Sequence, residues 1–90
     1  MDSRQTALAR MAKKIANEWI GGLENDMMDN EPGDESYEDA KHDLELGHET
    51  WVSLIISEVK VDREAQKHLK FAGNKFLEEY VDKMLTEMGY

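Results

Sequence analysis

The chain is expected to fold as an all-α domain, a small antiparallel three-helix bundle. Apolar residues recur at three- and four-residue steps over nearly the whole length, and no stretch alternates apolar and polar residues as a half-buried strand would. The only proline, Pro32, stands beside Gly33 in one strong turn signal. At 90 residues the expectation is a single domain, 1–90, with a modest core, so dimerisation is an expected way to complete the bundle.

The first helix is expected over 5–28. Leu8, Met11, Ala12, Ile15, Trp19 and Leu23 share one stripe, and Met27 continues it past Gly21 and Gly22, a soft point within the helix. An acidic connection follows at 29–35, carrying the proline. The second helix is expected over 36–59, opened by a capping-box-like Ser36 and Asp39, with a stripe of Tyr37, Ala40, Leu44, Gly47, Trp51, Ile55 and Val59. Gly47 in that stripe reads as a place where a neighbouring helix approaches closely. The third helix is expected over 62–88, with Asp62 as N-cap, Gly73 and Asn74 as a kink, and Gly89 as a stop. Its stripe is Ala65, Leu69, Ala72, Phe76, Tyr80 and Met84. Leu77, Val81, Leu85 and Met88 widen the apolar arc, which fits either a central position in the monomer or a homodimer interface.

Charge is distributed unevenly. Residues 24–49 hold eleven acids and one base, Lys41, a balance of −10, whereas residues 1–23 carry +2 and residues 50–90 carry −1. This argues against direct nucleic-acid binding, which needs clustered Lys and Arg against phosphates. Cysteine is absent, which removes disulfides, zinc ribbons and thiol nucleophiles. Neither a signal peptide nor a membrane span is read in the amino-terminal MDSRQTALARMAKKIANEW, and a cytoplasmic location is the expectation.

The stretch HDLELGHE, residues 42–49, poses the choice between a metal site and a solvated helix face. Glu45 and His48 have the Glu-x-x-His spacing of metal-binding four-helix bundles, but the motif occurs once, and Glu64 with His68 lies off the main stripe of the third helix. Glu35 and Glu38, with Glu79 and Asp82, match the Glu-x-x-Glu and Glu-x-x-Asp spacings used for magnesium by helical nucleoside triphosphate pyrophosphohydrolases. In a chain with 20 acids such pairs arise by chance. Ser3, Ser36, Ser53 and Ser57 lack a spaced base, and no Gly-rich phosphate loop is present. No catalysis, metal or cofactor is therefore expected.

Two surfaces remain. Glu35, Glu38, Asp39, His42, Glu45 and Glu49 form the expected partner-binding face, a carboxylate row suited to the basic groove of a partner protein, such as a nucleic-acid-binding protein. An inhibitor or regulator acting by charge mimicry of nucleic acid is the leading expectation. The alternative is a helical homo-oligomer that sequesters a phosphorylated small ligand along the basic stripe Lys60, Arg63, Lys67 and Lys70, with Phe71 beside it.

Overall fold

Asp2 starts the first helix by satisfying amide hydrogens that have no partner within it. Its carboxylate accepts the Gln5 N–H at 2.8 Å, and the Gln5 side chain accepts the Asp2 N–H at 3.1 Å. In the computed structural model, which describes residues 1–90, this helix is α1, Ser3–Asp29. It is followed by α2 (Glu35–Leu44), α3 (His48–Lys60), α4 (Arg63–Ala72) and α5 (Asn74–Met88), and the chain has no strand. The all-helical class stands, and the three expected helices resolve into five.

α1 runs unbroken through Gly21 and Gly22, because Leu8, Ala12, Ala16 and Ile20 keep one continuous buried stripe and the half-buried Leu23 and Met27 extend it. It ends where the Asn30 side-chain amide donates to the Asp26 carbonyl at 2.7 Å, two residues before Pro32. The α2 start is shifted from the expected Ser36 cap. Asp34 is the N-cap residue, but its carboxylate turns back to accept the Glu31 N–H at 3.2 Å, while Glu38 reaches the Gly33 N–H at 3.1 Å. The Pro-Gly turn, with Gly33 at φ +99°, thus takes the side chains that would otherwise serve the helix start.

The second expected helix breaks at Glu45–Gly47. Gly47 has φ +102° and ψ +157°, a conformation that L side chains rarely adopt, and α3 starts immediately after it. Nothing lies within 4 Å of where its Cβ would be, so this glycine serves the backbone turn and not a close helix approach. Gly73 (φ +87°) likewise ends α4 and starts α5, which turns the expected kink into a boundary. Asp62 caps α4 as expected, accepting the Ala65 N–H at 3.1 Å. Gly89 is left-handed and closes α5 by a Schellman arrangement, with Tyr90 N–H to Leu85 carbonyl at 2.9 Å and Gly89 N–H to Thr86 carbonyl at 3.1 Å.

α1 packs against all four other helices. The core joins Leu8, Ala12, Ala16 and Ile20 of α1 to Trp51, Ile55 and Val59 of α3, Ala65 of α4, and Leu77, Val81, Met84 and Leu85 of α5. α5 touches both α1 and α3, so the wide apolar arc anticipated in the last helix is largely covered within the chain. α2 packs on α1 in the most extensive of the helix pairs, and Ala40 is its one buried residue. The molecule is elongated, 47 × 21 × 17 Å, close to the length of about 40 Å that a helix of 27 residues reaches at about 1.5 Å per residue.

Two glycines separate helix propensity from backbone geometry. Gly22→Ala, in an exposed helical position with open space, is expected to stabilise the fold by about 0.5–1 kcal/mol. Gly47→Ala should instead destabilise it, because alanine tolerates the positive φ poorly. Equilibrium urea unfolding measures both, and equal shifts in the two variants would contradict the break at Gly47.

Candidate functional site

The amino acids of residues 24–49 determine the character of one end of the molecule. Glu24, Asp26 and Asp29 end α1, Glu31 and Asp34 lie in the turn, Glu35, Glu38, Asp39 and Asp43 belong to α2, and Glu45 and Glu49 flank the break before and in α3. All eleven are exposed. The chain's ion pairs are His48–Asp82, Lys67–Glu64 and Lys75–Glu79, and none uses an acid of this segment. Its negative charge is therefore left facing solvent.

The six residues expected to form one helical face are brought together only in part. Glu35, Glu38, Asp39 and His42 lie on α2, Glu45 is its C-cap, and Glu49 belongs to the first turn of α3. The helix break removes the shared face across Glu45 and Glu49. One Glu38 oxygen also braces the connection through the Gly33 N–H, so this residue is structural as well as charged.

The same break answers the question posed by HDLELGHE. Glu-x-x-His ligation needs both side chains on one helix face, and Gly47 at φ +102° separates Glu45 from His48. His42 is exposed on α2. His48, with its side chain 34% exposed, donates through Nε2 to Asp82 of α5 at 2.5 Å. Glu64 approaches Lys67 at 3.5 Å in α4, and no three His, Asp or Glu side chains converge into a ligand set.

His48 is held above its ordinary value of 6.5, foremost by the hydrogen bond to Asp82. Burial opposes the shift, while the Tyr90 backbone and the charges of Asp82 and Glu49 reinforce it. Tyr90 is itself pushed up, first by burial and then by the nearby carboxylate of Glu24. Asp82, His48, Tyr90 and Glu24 thus connect α5, the start of α3, the carboxyl terminus and the last third of α1. Sequence spacing missed this set because its members are distant along the chain.

The basic residues of the alternative reading lie elsewhere. Lys60 is the last residue of α3, and Arg63, Lys67 and Lys70 line α4 beyond the Val61–Asp62 turn. Phe71, 69% exposed, already has the Arg4 guanidinium over its ring at 3.8 Å. One face of the ring is thus occupied by the chain's own cation.

Two of the molecule's concave regions combine apolar side chains with few or balanced charges. The larger, about 570 Å³, lies between α1 and α5 and includes the stacked pair Phe76 and Tyr80. Lys13 and Lys83 there are balanced by Glu79 and Glu87, so it has no charge preference. The other, about 400 Å³, is lined by Trp19, Leu23, Asp43, Leu46, Trp51 and Leu54 at the α2–α3 junction. Trp51 is only 3% exposed, and its buried Nε1–H has no acceptor, a deficit that costs about 1–3 kcal/mol. No protein-family model, curated protein or solved structure matches the chain, so its function is read from these surfaces.

The raised His48 value fixes the sign of a pH effect. Stability from the His48–Asp82 pair is fully present below the unfolded value, near 6.5, and is lost as pH rises through the higher folded value. The stability difference between wild type and His48→Gln should therefore be largest on the acid side of 6.5 and shrink on the alkaline side. Thermal melts across that range provide the check, and a difference independent of pH would disconnect His48 from charge pairing.

Proposed function

We propose that the chain is a non-enzymatic interaction protein that offers its acidic end to a basic surface of a partner protein, of the kind that otherwise contacts nucleic acid. The observation that carries this reading is the exposed −10 segment without a single internal ion pair to its acids. Such a field steers a cationic partner during encounter and repels polyanions. An inhibitor or regulator that competes for a nucleic-acid-binding groove is the most specific form of the proposal. Dimerisation and a cytoplasmic setting are compatible with it, and neither is required. In the phosphorylated-ligand alternative, one face of Phe71 is already taken by Arg4.

Charge reversal tests the proposal. Asp39→Lys, Glu45→Lys and Glu49→Lys together change the local charge by six units at exposed positions and spare Glu38, which holds the Gly33 amide. The triple variant should keep its helical circular dichroism, since surface changes seldom cost much. Its affinity for a partner recovered from the native host should fall by about tenfold or more at low salt and converge towards wild type as salt rises. A folded variant that binds that partner as tightly as wild type at low salt would remove the acidic end from the mechanism.

A further inference from the structure

The groove at the α2–α3 junction differs from the rest of the surface in three respects. Leu46 and Leu54, each 38% exposed, are two of the six large apolar side chains left open to solvent, and both line this one groove beside half-buried Trp19 and Leu23. Trp51, which also lines it, carries the only buried side-chain polar atom without a hydrogen-bond partner. Asp43 is the sole ionisable residue of the lining, and the groove opens among the acids of residues 24–49 with no cation of its own.

We propose that this groove anchors a cationic amphipathic segment of the partner protein, seating an apolar side chain between Trp19, Trp51 and Leu54 while flanking Lys and Arg residues meet Asp43, Glu45 and Glu49. This rests on the acidic-end reading and adds to it the partner's chemistry: an amphipathic segment instead of a uniformly polar basic surface. The division of labour follows from the physics of each contact. Exposed charges speed encounter with any cation, whereas a concave apolar site distinguishes partners by the side chain they can bury. An amphipathic helix lying in a groove meets both demands, because its apolar stripe and basic face are presented together. The unpartnered Trp51 indole is a donor for a main-chain carbonyl of that segment, reached once a groove side chain shifts, since the nitrogen is covered in the free chain.

Both tryptophans of the chain line the groove, so intrinsic fluorescence reports its occupancy directly. The test uses the full chain and two helix-forming peptides of equal length and charge, one with leucines on one face and lysines elsewhere, the other with glutamine in place of every leucine. The leucine–lysine peptide is expected to bind at least about tenfold more tightly, the scale set by one seated apolar side chain, and to shift the tryptophan emission. Leu54→Ser should abolish that preference and leave the affinity for the glutamine–lysine peptide unchanged. Leu46→Ser gives an independent second variant, and circular dichroism confirms the fold of each. Equal affinity for the two peptides, or a preference that survives both serine variants, overturns the groove and leaves the acidic-end reading standing. Failure of both peptides to bind at low salt overturns both. Concentration-dependent emission with dimers in sedimentation, unaffected by peptide, would assign the groove to a second copy of this chain and likewise overturn the proposal.

Discussion

Burial of the narrow stripe Leu8, Ala12, Ala16 and Ile20 on α1 is the constraint on which the rest of the fold depends. All four are completely buried, and the two alanines keep the helix surface low enough for neighbouring helices to approach closely. α1 packs substantially on all the others, so every other segment is positioned by where it lies along this helix. Leu44 lies near Met27, Trp51 near Trp19 and Leu23, Val59 near Met11 and Ile15, and Phe71 near Arg4, which means that α2, α3 and α4 meet successively earlier parts of α1.

That arrangement also sorts the charge. The acidic turn and α2 lie at the far end of α1, while Arg4 and Arg10 near its start share their end of the molecule with the basic side chains of α4. Screening confines the influence of exposed charges to about 8 Å at physiological ionic strength. In a molecule 47 Å long the two ends therefore act as separate electrostatic surfaces. A formal charge of −9 understates how strongly a partner would feel the acidic end.

The acidic end is held in place by contacts from several elements. α2 relies on α1, the connection is braced by Asp34 and Glu38 accepting backbone amides, and the start of α3 is tied to α5 through His48 and Asp82. Tyr90, near Glu24, brings the carboxyl terminus to the same region. Acidic surface and apolar groove thus meet around one backbone break.

Much of this was legible in the chain itself. Helical periodicity fixed the class, Asp62 and Gly89 marked real helix ends, and the clustering of acids in 24–49 was visible before any folding was considered. These features are local: a cap, a left-handed stop or a charge run depends on neighbours within a turn or two of chain. The break at Gly47 escaped because Leu44, Gly47 and Trp51 keep an almost continuous helical phase, so periodicity alone could not distinguish a glycine on a helix face from one that ends the helix. Tertiary packing decided that, since Leu44 and Trp51 dock at different levels of α1 with the chain turning between them. It alone also paired His48 with Asp82, placed Arg4 on Phe71 and gathered Trp19, Leu46 and Leu54 around one groove. Each of these contacts joins residues far apart in sequence, and their proximity exists only once α1 has a buried face for the other helices to share.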